Sequence, residues 1–308
     1  MTSFDSRPDF GALGEIEFED TNCPVCASDR HEPKYEKTIR GHELKFVVCD
    51  RCDTLYQKPR MTEDSLRMIY ASEDFFEGGD DSVNYYSFLE GESYLSRTAQ
   101  RRIDIIKKYT DGRRLLEVAS AAGFFLKTAK ANGFDVSGVE FSEPMAKWAS
   151  KQWDVPITAD SIELVELDAE AYDVIASWGV FTILRDPNAA LRKFHAALKP
   201  GGILALNTYY HPCLWSRFWK GRWLILAINM SQIYTKQTLR DMLEDAGFEV
   251  VSVRRDRPYA GVKYALFHVM SHVPGGVRRS FFDRINWANK LVVPVYAPDN
   301  LEWVCRKV

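Results

Sequence analysis

The 308 residues exceed the usual single-domain size and predict one large domain of roughly 200 residues with a smaller module attached. Hydrophobic residues make up 46% and charged residues 27%, which excludes a disordered or collagen-like chain and a membrane channel. Lys plus Arg number 40 against 43 Asp plus Glu, a formal net charge of -3, so no whole-chain positive field points to nucleic acid.

The opening MTSFDSRPDF has no basic segment followed by an apolar one, so no secretory leader is read and a cytoplasmic protein is expected. No apolar run approaches the roughly 18 residues of a membrane span; the most apolar short run is Trp223 to Ile228. Six cysteines without an export signal do not make a disulfide framework. Four of them form two Cys-x-x-Cys pairs, Cys23 with Cys26 and Cys49 with Cys52. Two intervening residues make a tight knuckle that turns both thiolates toward one tetrahedral Zn²⁺, and two knuckles close a four-sulfur site with no open position. Such a site is structural, with metal binding on the order of 10 kcal/mol standing in for the core that a short segment lacks. Residues 1–60 therefore read as a zinc-ribbon module. They hold nine Lys or Arg against twelve Asp or Glu, and the thiolates add negative charge, which argues against docking on a phosphate backbone. Cys213 and Cys305 read as unpaired packing residues.

Residues 61–110 read as a helical connecting region. KPRMTEDSLRMIY starts a helix after its Thr, the Gly- and Asp-rich EDFFEGGDDSVNYY reads as a loop or hinge, and SRTAQRRIDIIKKYTDG gives a helix with Ile103, Ile105, Ile106 and Tyr109 at helical spacing. From residue 114 short apolar strands alternate with helices: RRLLEVAS, FFLKTAKANG, DVSGVEFS, EPMAKWASKQW, YDVIASW, PNAALRKFHAALKPGG and ILALNTYY. That alternation predicts parallel pairing with right-handed crossovers, hence an α/β, doubly wound sheet across 111–308. Residues 262–290 are expected to be helical and LEWVCRKV to be a last strand.

In such sheets ligands bind beyond the carboxyl ends of the strands. Glu117 and the small residues Ala119 to Gly123 follow the first strand; Glu140, 23 residues beyond Glu117, follows the second and can accept from both hydroxyls of a ribose. Asp160 follows the third, in position for an adenine amino group. Together the three acids predict a nucleoside ligand.

With these pieces in hand, the chain resembles the class I S-adenosylmethionine-dependent methyltransferases, in particular a branch with an N-terminal zinc ribbon that modifies sugars and other small intermediates. The resemblance is carried by CPVC and CDRC, LLEVASAAGFFL, VSGVEFSEPMAKWA, YDVIASWGVFTILRDPNAALRKFHAALKPGG, IYTKQTLRDMLEDAGFEVVSV and APDNLEWVCRK. It implies a Rossmann-like seven-stranded sheet, S-adenosyl-L-methionine as cofactor, and a small-molecule acceptor such as a sugar, nucleotide-sugar or glycan intermediate. It also implies that Glu117 with Ala119, Ala121 and Gly123 holds the methionine part, Glu140 the ribose and Asp160 the adenine, while Trp178 lines the methyl-transfer cleft. Insertions at about 209–234 and 258–298 would shape the acceptor side. The chain departs from the family at Ala119 and Ala121, where relatives place Gly, and at Thr182-Ile183, where relatives often place Glu-His.

With that histidine absent, the candidate bases are His211, whose unperturbed pKa near ~6.5 suits neutral pH, together with Tyr209 and the loop residue Tyr86. The competing reading makes His211 a hydrogen-bonded structural residue and the tyrosines packing residues. LWSRFWKGRWLILAINM interleaves Trp215, Phe218, Trp219 and Trp223 with Arg217, Lys220 and Arg222; a cap over the pocket is preferred there to a membrane-surface or nucleic-acid patch. Two rival functions stay open: a non-catalytic binding protein of the same fold, and an RNA methyltransferase docking through its ribbon.

Overall fold

The computed structural model describes residues 14–72, 75, 89–263, 265–266 and 291–308. Most of the Gly- and Asp-rich 73–86 stretch, with Tyr85 and Tyr86, and most of 262–290 lie outside the described residues.

The N-terminal part is built from β1 (Phe18–Glu19), β2 (His31–Ile39), β3 (His42–Cys49), β4 (Leu55–Gln57) and β5 (Arg60–Met61). β2 and β3 form a hairpin whose two turn residues, Arg40 and Gly41, both have positive φ (52° and 80°), as the twist of a two-residue hairpin requires. Then come α1 (Glu63–Tyr70), capped by Thr62, whose Oγ1 accepts from the Ser65 amide at 3.3 Å, and α2 (Glu92–Ile106). α2 begins at Glu92 rather than at Ser96 because buried Tyr94 extends the apolar stripe that continues in Ala99, Ile103 and Ile106.

The larger part runs β6 (Arg114–Val118), α3 (Phe124–Ala131), β7 (Asp135–Glu140), α4 (Glu143–Trp153), β8 (Ile157–Ala159), β9 (Tyr172–Trp178), α5 (Pro187–Ala197), β10 (Leu198–Tyr209), α6 (Leu214–Trp219), β11 (Gln232–Ile233), α7 (Lys236–Asp245), β12 (Phe248–Arg255), β13 (Tyr259–Gly261), β14 (Val292–Pro294) and β15 (Asn300–Lys307). Its sheet has seven strands in the order β12-β15-β10-β9-β6-β7-β8, parallel from β8 to β10, with β15 antiparallel to both neighbours. This is the expected α/β, Rossmann-like sheet, and LEWVCRKV lies in its last strand.

Alternation along each strand divides the core between the two faces. Leu115 and Val174 pack with Ile103, Ile106, Phe125 and Leu126 on one face. Leu116 and Ile175 pack with Leu191, Phe194, Leu239 and Leu243 on the other. A further cluster joins the N-terminal hairpin to the rest: Leu44, Phe46 and Leu55 meet Ile69, Met145, Trp223, Leu226 and Met230. β11 pairs with β4, so the small sheet, in the order β11-β4-β3-β2, takes its last strand from the larger part. The aromatic-basic segment divides accordingly. Trp223 is buried and its Nε1 donates to Asp299 at 2.8 Å, whereas Leu214 and Phe218 on α6 are exposed.

Candidate active site and metal centre

The carboxyl ends of the parallel strands meet on one edge of the sheet. Near the end of β6, Glu117 is only 4% exposed and its Oε2 has no hydrogen-bond partner among the described residues. Burial holds its carboxyl well above the ordinary range; the nearby charge of Arg102 acts against that and the charge of Glu140 adds to it. The following loop passes through Ala119 and Ala121, both left-handed at φ 56° and 45°, to Gly123 at 71°. The amides of Ala119 and Ser120 both donate to the Val139 carbonyl, at 2.7 and 3.2 Å, which pins the loop against β7. A Cβ on Gly123 would stand 2.9 Å from Trp153 Cδ1, so this turn needs glycine for space as well as for φ.

Glu140, the last residue of β7, is 3% exposed. The Ala121 amide donates to its Oε2 at 2.7 Å and the Ser142 amide to its Oε1 at 2.8 Å. Burial raises its pKa while these amides oppose the rise. Each oxygen keeps a second lone pair, so the carboxylate that ties the loop to β7 can also accept from a ligand. Asp160, beyond β8, accepts from the Ser161 amide at 2.7 Å and from Arg67 Nη2 at 3.5 Å. Arg67 also lies 4.7 Å from the centre of the Phe141 ring, and Tyr70 meets that ring edge-on at 5.7 Å. α1 therefore lies over the ends of β7 and β8, a role for Arg67 and Tyr70 that the sequence signalled only as one helix face.

Trp178 ends β9 with the Arg102 guanidinium 4.2 Å from its ring centre and Phe125 edge-on at 5.4 Å. The next residue, Gly179, donates its amide to Asn207 Oδ1 at 2.7 Å, and Asn207 Nδ2 donates to Asp256 Oδ2 at 2.8 Å. Asp256 and Glu302, 2% and 3% exposed, receive Arg101 and Arg102 of α2. Arg101 donates to Asp256 at 2.7 Å and to both oxygens of Glu302, and Arg102 to Asp256 at 3.0 Å and to Glu302 at 3.4 Å. This buried network was not legible in the sequence, where the adjacent Arg101 and Arg102, Asp256 and Glu302 lie in three separate segments.

Tyr209 ends β10, half-buried opposite Asn300. His211 lies just beyond, 6% exposed; its amide donates to the Tyr234 carbonyl at 3.0 Å and its Nε2 lies 2.7 Å from the Asp53 carbonyl. A carbonyl only accepts, so Nε2 carries the proton, and burial lowers the pKa of the ring. His211 thus joins the second cysteine knuckle to the sheet. Tyr86 lies outside the described residues.

Five buried polar atoms at this edge have no partner among the described residues: Glu117 Oε2, Ser120 Oγ, Ser142 Oγ, Ser177 Oγ and Trp178 Nε1. Each would cost about 1 to 3 kcal/mol if left unsatisfied, and Ser142 does not even cap the helix it begins. The set fits a ligand that brings an ammonium group, hydroxyls and carboxylate oxygens to one site.

At the other end of the small sheet, the sulfurs of Cys23, Cys26, Cys49 and Cys52 all lie within 4.8 Å of one another. Two pairs, Cys23 with Cys52 and Cys26 with Cys49, are 3.5 Å apart, close to the roughly 3.8 Å edge of a tetrahedron with ~2.3 Å zinc-sulfur bonds. The knuckles repeat one another: Ala27 and Asp53 have φ of 58° and 55°, and their amides donate to the Cys23 and Cys49 carbonyls at 2.9 and 3.0 Å. The Arg51 amide points to Cys49 Sγ at 3.4 Å, the outer-layer support that a thiolate receives.

Fold and strand-end geometry together define a Rossmann-like protein with a cluster of buried polar groups at the carboxyl edge of a seven-stranded sheet. Residues 92–253 match the family model described as a methyltransferase domain, and the chain belongs to that family. An uncharacterised methyltransferase of Bacillus subtilis, YdaC, is 33% identical over 103 residues, 32% of this chain and 57% of that protein. The ubiquinone biosynthesis O-methyltransferase of Coxiella burnetii is 26% identical over 102 residues, 32% of this chain and 44% of the relative. The chain thus spans about half the length of these relatives. Among solved structures, a methyltransferase from Bacillus halodurans superposes with a TM-score of 0.50 at 16% identity, covering 68% of this chain and 98% of that one. A chain of the Haloferax volcanii complex between the Trm112 activator and a methyltransferase gives 0.50 at 17% identity, covering 70% and 91%. These two similarities concern the fold. Among the described residues, no helix is long and apolar enough to cross a membrane.

Proposed function

We propose that the protein transfers a methyl group from S-adenosylmethionine to a hydroxyl of a small molecule, with residues 1–60 forming a structural zinc ribbon. The observation that carries this reading is the cluster of buried, unpartnered polar atoms around Glu117 at the strand ends of a methyltransferase domain. The cofactor supplies an electrophilic methyl group when bound. On the protein side, Glu117 accepts from the ammonium, Glu140 from the ribose hydroxyls and Asp160 from the adenine amine, while the Ala119 to Gly123 turn brings backbone close to the ligand. Trp178 and Tyr209 wall the transfer cleft and exclude water, and Tyr209 stands on the acceptor side. Orientation of the two reactants is the main contribution of such a site.

Residues 61–110 connect the ribbon to a catalytic domain over 111–308, whose segments 209–234 and 258–298 shape the acceptor side. Four thiolates with no open position suit Zn²⁺ as a fold-holding ion. The name of the Coxiella relative speaks of O-methylation, and both a sugar or nucleotide-sugar and a phenol offer the hydroxyl this reading requires.

Calorimetric titration with S-adenosylmethionine tests the proposal. Saturable binding by the wild type, weakened at least tenfold in Glu140→Gln with the fold intact by circular dichroism, is the expected result. No binding by the folded, zinc-loaded wild type would overturn it and favour a non-catalytic protein of the same fold.

A further inference from the structure

A cavity of about 550 Å³ lies beside the site and is lined by Arg101, Ile105, Arg254, Arg255, Arg257 and Tyr296. β12 and β10 are both antiparallel to β15, so β12 delivers its last residues, Arg254 and Arg255, to the same edge as the ligand-binding strands. The cavity is an open groove, wide enough to admit a small polar group and lined mainly by arginine.

The charges at this cavity do not cancel. Asp256 and Glu302 lie beneath it and are taken up by Arg101 and Arg102. Among the described residues, no carboxylate is within ion-pair distance of Arg254, Arg255 or Arg257. Arg254 spends Nη2 on the Tyr109 hydroxyl and Ser252 Oγ, at 3.2 and 3.1 Å, and its buried Nε has no partner among the described residues. Arg255 donates one nitrogen to the Pro298 carbonyl at 2.7 Å and lies 5.5 Å from the Tyr296 ring centre. Arg255 and Arg257 are exposed. Three guanidinium groups of like charge gathered on one concavity repel one another until an anion is shared among them. Guanidinium forks match the paired oxygens of phosphate, and a concave wall of one sign concentrates such anions.

The structure assigns this cavity to the phosphate or diphosphate group of a small molecule, and we infer that a phosphorylated compound is the class of ligand that binds there. That this compound is the methyl acceptor rests on the function proposed above. Arg101 lines the cavity and shares Asp256 and Glu302 with Arg102, which stacks on Trp178, so one acid pair separates the phosphate site from the transfer cleft.

Inorganic pyrophosphate is the first probe, titrated into the full-length protein at about 0.15 M salt, with citrate as a carboxylate control of high charge. Pyrophosphate should bind saturably and more tightly than citrate. Arg257→Gln and Arg255→Gln, exposed positions whose loss leaves the core untouched, should each weaken pyrophosphate at least tenfold, and Arg222→Gln, on the aromatic-basic segment, should not. The inference is overturned by no pyrophosphate binding, by tighter citrate binding, or by binding that the cavity variants leave unchanged. Separate titration with S-adenosylmethionine keeps the two readings apart: either ligand can bind when the other fails.

Discussion

At neutral pH a carboxylate at 4% exposure has lost most of its hydration, and Glu117 recovers it only in part from the charge of Arg102. Its folded-state pKa is raised, so the protein binds more protons than the unfolded chain above the ordinary pKa of 4.5. The stabilisation is complete below that value and is lost as pH rises through the folded pKa. Glu117→Gln should therefore raise the stability of the ligand-free protein above the ordinary carboxylate range, flatten its fall with rising pH, and weaken S-adenosylmethionine at least tenfold. Chemical denaturation across that pH range, with calorimetry, reads both effects. The same loop stores backbone strain: left-handed alanine costs about 1 to 2 kcal/mol, and glycine returns part of that through its greater freedom when unfolded. Ala119→Gly and Ala121→Gly should each stabilise by up to about 1 kcal/mol, seen as a higher urea midpoint with the same slope. Lower midpoints for both would show that the methyl groups pack more favourably than the torsions suggest.

The element that binds the site together is α2. Its consecutive residues Arg101 and Arg102 meet acids from the end of β12 and from β15, and Asn207 extends the chain of contacts to the Gly179 amide. Removing one member of such a buried set leaves the others uncompensated, which costs about 3 to 5 kcal/mol. Asp256→Ala should cost that much in denaturant unfolding, whereas Arg114→Ala, whose contact with Asp135 at 4.0 Å is exposed, should change stability by less than about 0.5 kcal/mol. Equal losses in the two variants would remove the network from this role. α1 acts by position: Thr62 fixes its start, and its length carries Arg67 and Tyr70 over the Phe141 ring.

Across the whole molecule, the cysteine module and the methyltransferase domain share a core and a sheet. β11 completes the small sheet, Lys37 Nζ donates to the Leu226 carbonyl at 2.8 Å, His211 reaches the Asp53 carbonyl, and Thr238 Oγ1 donates to the Cys52 carbonyl at 2.7 Å. Burial of that lysine lowers its pKa to about 8. Metal loss should accordingly disturb more than the knuckles. With zinc bound, a strong chelator should lower the melting temperature and move the fluorescence of buried Trp223 to the red, and Cys49→Ser should do the same without chelator. Unchanged melting after complete removal of metal, measured by atomic emission, would mean that packing alone holds the ribbon.

The alternation of apolar strands with helices, the doubled Cys-x-x-Cys spacing and the acids at strand ends are local signals, fixed by periods of 2 and 3.6 residues and by chain order. They sufficed for the doubly wound parallel sheet and for placing Glu117, Glu140 and Asp160 at its strand ends, whereas the count of seven strands came with the family resemblance and the positive φ of Ala119 and Ala121 is a finding of the structure. No local period encodes which face of α2 meets which strand end. The pairing of Arg101 and Arg102 with Asp256 and Glu302, the arginine cavity and the cover that α1 forms over β7 depend on how distant elements dock. His211 marks the boundary between the two kinds of information: its place after β10 follows from chain order, but only packing turned its ring toward Asp53, because burying an imidazole requires a partner and the second cysteine knuckle supplies one.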